Sequence, residues 1–408
     1  MCVLERRLPP FERLKLAEIV PAVTNAATDF KHDIHKLEKN LCNTSKSLHF
    51  NDVVDALEVQ SDALNRMWGI VGHLMSVRNS EELRTIHDQL QHVVIQTLTE
   101  ASQSKTIYNA YQTLRSSNEW SKLNVPQQRI IELSIRSATL NGVGLDGEDK
   151  NQFNKLKLRA AALSTKFSSN LLDATKAFSI IITDKNEIEG LPRSLLEMFA
   201  QSAQDDGHVD ASANDGPWRV TLDPPSFVQF MKYSAKRSLR ETLYRAYVTR
   251  ASGDLFDNER IIVELLEIRQ QIAKLLGFNS FAELSIAKKM APSVEAVEKM
   301  HRDLREKCVR IAHDEVETVA NYAKQHGQSE TLAPWDLSFW SEKLKSEKYQ
   351  FTDEEVKPYF PLERVLDGLF SLTSRLFAVT IEAADGQAEV WNADTLIRAR
   401  TRRMVALG

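Results

Sequence analysis

Along most of the chain, apolar residues recur at intervals of three and four, the spacing that lines one face of an α-helix. The clearest stripe is Phe153, Leu156, Leu163, Phe167 and Leu171, with Lys155, Lys157, Arg159 and Lys166 mostly off it. Comparable patterns predict helices over 22–39, 51–77, 81–113, 127–141, 227–250, 258–276, 294–326 and 362–377. Gly277 and Gly327 each follow such a run directly, where a left-handed residue closes a helix. The pattern predicts a mainly α protein.

Alternation of period two is rare. The run 178–183 is apolar and β-branched, and 218–222 alternates Trp, Val and Leu with Arg and Thr between Pro-rich turns. A third strand candidate is 378–382, followed by a turn at Asp385 and Gly386 and a further strand at 388–391. The segment 201–216, rich in Asp, Ser, Ala and Gly, reads as a flexible surface insertion. After Asp394 the chain carries Arg398, Arg400, Arg402 and Arg403 and shows no clean period. The expected organisation is an N-terminal helical domain over 1–150, a helical region with short strands over 151–392, and an Arg-rich tail over 393–408.

Composition narrows the class. The length of 408 residues allows a sizeable core and more than one domain-sized unit. A net charge of −4 gives no electrostatic footprint for nucleic acid, so no such partner is expected. No run of about 18 uncharged apolar residues occurs, so no membrane span is expected. The N-terminus lacks an apolar signal region, and Cys2, Cys42 and Cys308 are scattered, as in a reducing compartment. The expected location is cytoplasmic, or organellar where a targeting segment lies upstream.

Candidate chemistry is sparse. Gly142, Gly144 and Gly147 match a dinucleotide loop by letter. A helix pattern precedes them and Asp146, Glu148 and Asp149 would repel phosphate, so the reading is helix–turn–helix. His313 and Glu317 lie four apart on a helix but have no third ligand nearby. The pairs His32/His35 and His87/His92 lack the glutamate that a metallohydrolase uses as general base. The acidic run 353–355 reads as a helix N-terminal turn. Trp335, Phe339 and Trp340 can line a peptide site or fill a core, and aromatic packing favours the core. No catalytic, cofactor-binding or metal-ligating residue is singled out.

Longer stretches carry a resemblance. They begin at Pro9, Pro10 and Phe11 and continue through MWGIVGHL at 67–74, SKTIYNAY at 104–111 and LSTKFSSNLLDAT at 163–175. The most specific are GPWRVTLDPPS at 216–226 and RSLRETLYRAYVTRAS at 237–252. PWD at 334–336, WSEKL at 340–344, YFPL at 359–362 and DGLFSL at 367–372 follow in order. In these the chain resembles the thimet oligopeptidase family of zinc metallopeptidases, nearest the oligopeptidase A branch, from roughly Pro9 to Asn392.

The resemblance implies a helical body split by a narrow channel that admits short peptides. It also implies zinc on a helix bearing His-Glu-x-x-His, with a further glutamate as third ligand. No such motif occurs in these 408 residues, so no ligand position is carried over and the chain as written is expected to bind no zinc and to be inactive. The likeness stops as the composition changes near Asn392, as a frameshift, alternative splice or misread gene end would produce. The expectation is the N-terminal portion of a peptidase, truncated before its zinc-bearing core. Such a chain would leave an unpaired sheet edge at 378–391 and associate through exposed apolar surface. The alternative is a non-catalytic helical module that binds peptides or a full-length paralogue.

Overall fold

The computed structural model describes residues 8–43, 47–253, 255–395 and 397–402. Cys2 and Arg403 lie outside them. The helices in the first part are α1 (Leu16–Asn43), α2 (Ala56–Val77, preceded by a π turn at Asn51–Asp55), α3 (Glu81–Ser102), α4 (Lys105–Ser116), α5 (Val125–Leu140) and α6 (Gly147–Lys176). Next come β1 (Ser179–Ile182), α7 (Arg193–Asp205), β2 (Trp218–Thr221), α8 (Pro224–Tyr233) and α9 (Arg237–Val248). The last part holds α10 (Glu259–Leu275), α11 (Phe281–Ile286), α12 (Val294–Gln325), α13 (Pro334–Tyr349), α14 (Asp353–Val356), α15 (Leu362–Phe377), β3 (Val379–Ala383) and β4 (Arg398–Arg402). The mainly α class is as the pattern predicts. The chain divides into two units that interleave along the sequence: Met1–Ser164, Leu265–Pro292 and Phe370–Gly408 form one, and Thr165–Glu264 with Ser293–Leu369 the other.

In the first unit α1 packs against α2 and α3, and α4 against α5. The buried residues of α1 are Ile19, Val23, Ala26, Ala27, Phe30, Ile34 and Leu37, a three-and-four stripe that faces Leu64, Val71, Leu90 and Val94 in one core. The helix predicted over 81–113 is two helices. Ser104 breaks it by capping α4, its hydroxyl accepting from the Ile107 N–H at 3.2 Å. The adjoining Gln103 is buried and donates from its amide to the Asn141 carbonyl and to Asn154. A side chain with those obligations is served better by a bend than by another helical turn.

The second unit closes around β1 and β2. They pair antiparallel, Ser179 opposite Thr221 and Ile182 opposite Trp218. Phe199, Trp218, Val220, Leu222, Phe230 and Leu243 are fully buried around them. At Gly216, φ is +71° and an added Cβ would sit 2.8 Å from the Trp218 ring, so the turn into β2 requires glycine. The helix predicted over 227–250 is also divided. Ser234–Lys236 leave the helix because the Ala235 N–H donates to the Glu189 carbonyl and the Ser234 carbonyl accepts from Arg240.

Two further expectations need correction. The segment 201–216 is not all loop: its first residues complete α7, and Ser212 and Gly216 exchange backbone hydrogen bonds at 3.0 and 2.9 Å. In the C-terminal part, 388–391 is not a strand. The partner of β3 is instead β4, antiparallel from Val379 opposite Arg402 to Ala383 opposite Arg398, so the Arg-rich tail supplies a strand to an edge expected to be bare. What draws 388–391 out of the sheet is aromatic packing. The Trp391 ring sits edge-on to His73, with centroids 4.5 Å apart, and to Phe11 at 5.6 Å. Glu389 accepts from the backbone N–H groups of Glu12 and Arg13.

Candidate functional site

The most developed polar constellation lies in the second unit, between α9 and the start of α13. Pro334 opens α13, where its missing N–H costs nothing, and brings Asp336 into the first turn. Asp336 is fully buried. Its carboxylate accepts from Arg240 Nη2 at 2.8 Å, from Arg237 Nε and Nη2 at 3.1 Å, from Gln328 Nε2 at 3.0 Å and from the Ala333 N–H at 3.1 Å. Burial alone would raise this carboxyl. The donors, Arg237 foremost, hold it below its ordinary value.

Arg240, three residues along from Arg237 on α9, is buried as well. Its remaining donors reach the Trp335 carbonyl at 3.1 Å and the Ser234 carbonyl at 2.7 Å, and its guanidinium lies 4.2 Å from the Phe339 ring centre. Burial lowers its pKa while Asp336 opposes that shift, and a guanidinium remains charged throughout. Arg237 also pairs with Glu330. Gln328, turned toward Asp336, accepts from the Trp340 indole at 2.6 Å.

A second cluster joins α8, α13 and α14. Lys232 bridges Glu342 at 3.1 Å and Asp353 at 3.0 Å; Lys345 bridges the same two carboxylates at 2.8 and 2.7 Å. Lys345 foremost, then Lys232, holds the Asp353 carboxyl down to about 2. Burial works against the charge on Lys345, but its bonds to Asp353 and Glu342 hold its pKa well above the ordinary value. Thr352 caps α14, accepting from the Glu355 N–H while its own N–H donates to the Glu355 side chain. The acidic run 353–355 is thus the helix start expected of it, and its first member is also an ion-pair anchor.

Both clusters are built on ion pairs, although the Trp335 indole N–H and the Ser234 hydroxyl beside the first are buried without a hydrogen-bond partner. Each buried charge has an opposite partner, and every carboxylate with a resolved shift among the described residues is held low. A general acid at neutral pH needs the reverse. The arrangement ties the helices of each cluster together. Lys157 in the first unit is pushed down by burial and then by Lys288, and it donates to Asn141 at 2.8 Å.

The residues singled out by sequence fall as follows. Gly142–Gly147 forms the turn between α5 and α6, with Gly142 at φ +80° and Asp146 paired to Lys105 at 2.6 Å, which is a helix–turn–helix and not a phosphate cradle. His313 and Glu317 are exposed on α12, and His32 and His35 are exposed on α1. His87 stacks on Trp68 at 4.8 Å, while His92 is exposed. Phe339 is buried and Trp335 and Trp340 are half-buried against Arg237, Arg245 and His326, so these aromatics belong to the packing of α13. Among the described residues no three His, Cys, Asp or Glu side chains converge on a point where a metal ion could sit. The described residues thus bring together no ligand set for a zinc ion of the kind the resemblance implies. Sequence reasoning missed Asp336 and Arg240 as a pair. Its only signal was that both fall in the stretches that carry the resemblance.

Comparison with known proteins defines the class. Residues 23–150 match the model of the neurolysin/thimet oligopeptidase N-terminal domain, and residues 230–399 match that of peptidase family M3. The organellar oligopeptidase A of Arabidopsis thaliana (chloroplastic/mitochondrial) is 42% identical over 95% of this chain and 48% of its own length. The probable cytosolic oligopeptidase A of the same plant is 40% identical over 95% and 54%, and oligopeptidase A of Haemophilus influenzae 36% over 95% and 56%. Among solved structures, PZ peptidase A with an inhibitor aligns at a TM-score of 0.47 and 16% identity, over 83% of this chain and 48% of that one. The chain belongs to peptidase family M3, in its oligopeptidase A-like branch, and spans about half the length of the curated relatives it matches.

Proposed function

We infer that these 408 residues form the helical, non-catalytic part of an oligopeptidase A-like zinc metalloendopeptidase that degrades short peptides, and that they do not hydrolyse peptides by themselves. The observation that carries the reading is the two family models matching in order along a chain that is 32–42% identical to oligopeptidase A proteins over about 95% of its length. The inactivity rests on the want of His-Glu-x-x-His in the sequence and on the mismatch between zinc and the described side chains.

What the chain's own residues do is hold helices in register. Asp336 and Arg240 tie α13 to α9, and Lys232, Lys345, Glu342 and Asp353 tie α8, α13 and α14. The buried Asp336–Arg240 pair would fix geometry more than it adds stability. They would keep a peptide-binding wall in shape while chemistry is supplied elsewhere. The location proposed is cytoplasmic; the relatives include both a probable cytosolic and an organellar form. No helix among the described residues is long and apolar enough to cross a membrane.

The test is incubation of the purified chain with quenched fluorescent peptides and zinc. The expected result is no cleavage above background. Cleavage abolished by a chelator would overturn the reading. Saturable peptide binding without cleavage would favour a binding module.

A further inference from the structure

Taking a charged amine out of water is costly, and the second unit offsets that cost with carboxylates: Lys232 and Lys345 each bridge Glu342 and Asp353. Lys157 on α6, in the first unit, is the contrary case. It is half-buried beside the Phe153 ring, its amine 5.7 Å from the ring centre. The amine donates to Asn141 Oδ1 at 2.8 Å, an uncharged acceptor. The charge that acts on it is the positive one of Lys288, which adds to burial in pressing its pKa down.

Lys288, just past the end of α11, does not turn away into water. Its Nζ donates to Ser137 Oγ at 3.3 Å, and the same hydroxyl accepts from Asn141 Nδ2 at 3.4 Å. One residue before Ser137 on α5, Arg136 donates to the carbonyl of Ala287 at 3.4 Å. Three cations from α5, α6 and the segment after α11 are thus gathered around Ser137 and Asn141, all within the first unit. Among the described residues no carboxylate lies within ion-pair distance of any of them.

The frame behind them is fixed. The Asn141 carbonyl accepts from the buried Gln103, whose amide also reaches Asn154 at 2.8 Å. Ser137 accepts twice and keeps its hydroxyl hydrogen to give. What the arrangement wants is an acceptor that carries negative charge. A phosphate group suits it better than a carboxylate. Its oxygens are arranged tetrahedrally and accept from several directions, and it brings close to two negative charges at neutral pH. Against three cations a dianion leaves one positive charge, whereas a carboxylate leaves two.

We propose that Arg136, Ser137, Lys157 and Lys288 form a binding site for a small phosphate-class dianion, either inorganic phosphate or a phosphate monoester. The site stands apart from peptide hydrolysis and from the reading of this chain as part of a peptidase.

The experiment is calorimetric titration of the purified chain with inorganic phosphate at constant ionic strength, with glycerol phosphate and acetate titrated in parallel. The expected result is one saturable site per chain, with acetate weaker than phosphate by about tenfold or more. Tighter binding of glycerol phosphate than of the free ion would assign the site to a monoester, and the reverse order to inorganic phosphate. Lys288→Gln and Lys157→Met should each weaken phosphate binding about tenfold. Lys122→Gln, at an exposed lysine of the same unit, should leave it unchanged. Lys157→Met removes a charge that lacks a counterion and keeps the apolar stem, so its circular dichroism should match the parent.

Lysine acetylation by a reactive ester, read peptide by peptide by mass, locates the bound ion. Phosphate should suppress labelling of Lys157 and Lys288 and leave that of Lys122 unchanged. A titration without saturation overturns the site, and so does phosphate affinity that both variants retain. Equal affinity for acetate and phosphate overturns the assignment to a dianion.

Discussion

The five helices α1–α5 and the pair α12 and α15 are written in the same apolar code, and they end in opposite circumstances. In α1–α5 the stripe is spent within the chain: Leu64, Leu83, Leu90 and Leu114 are shielded almost completely. In α15 a stripe of equal regularity faces solvent, and most of α12 is wet on every side. The difference teaches that periodicity fixes which face of a helix seeks cover but says nothing about whether the cover is present.

The comparison can be broken most sharply where α13, the helix that α12 packs on, is tied to α9. Asp336→Ala would leave Arg240 charged, buried and without its counterion, at a cost of about 3–5 kcal/mol. Urea unfolding followed by tryptophan fluorescence should show the second unit destabilised first. An unchanged midpoint would mean that the Asp336 cluster does not hold α9 and α13 together.

Next in size is the same substitution made on either side of the contrast. Leu114→Ala removes a fully buried side chain from the first core and should cost about 2–5 kcal/mol. Leu369→Ala, about half exposed on α15, should change stability by no more than about 0.5 kcal/mol in the isolated chain. Equal losses at the two positions would show that α15 is covered after all.

Acid provides a finer probe of the second unit. The Asp353 carboxyl, held down to about 2, lies below its unfolded value of about 3.9. Its contribution is therefore fully present above that unfolded value and is lost as pH falls through about 2. Lys345 and Lys232 are held above their ordinary value, so their contribution is complete below an unfolded pKa of about 10.4 and fades only as pH rises through the folded one. Asp353→Asn should flatten the stability profile between about pH 4 and 2. A parallel profile for parent and variant would remove Asp353 from the account. Because Asp353 and both lysines are partly exposed, the effect should be smaller than that of Asp336→Ala.

The smallest expected change in stability, with a clear change in behaviour, is Leu372→Asp. It should leave the unfolding midpoint within about 0.5 kcal/mol of the parent while reducing binding of a hydrophobic dye. Dye binding that stays the same would locate the open apolar surface elsewhere.

Much of the architecture was legible beforehand, and the exceptions share a cause. The run 294–326 and the glycine closing it, the helix 362–377, and the strands near 179–182 and 218–221 follow from spacing and turn residues alone. The breaks at Gln103–Ser104 and Ser234–Lys236 did not, because each depends on a side chain or backbone group bonding to a residue far away in sequence. The candidate site was less legible still. Asp336 and Arg240 are 96 residues apart, and nothing local tells a buried charge from a solvated one.

By itself the sequence determined the helical class, the places where most helices start and stop, the family through stretches such as 216–226 and 237–252, and the want of a zinc motif in these residues. Only the tertiary structure decided that Asp336 is a buried counterion, that Trp391 packs on His73 and Phe11 while the Arg-rich tail pairs with β3, and that α15 keeps its leucines in solvent. The first set depends on interactions between residues a few positions apart, which the order of side chains dictates. The second depends on which distant surfaces meet, and burial, charge pairing and exposure have no meaning until they do.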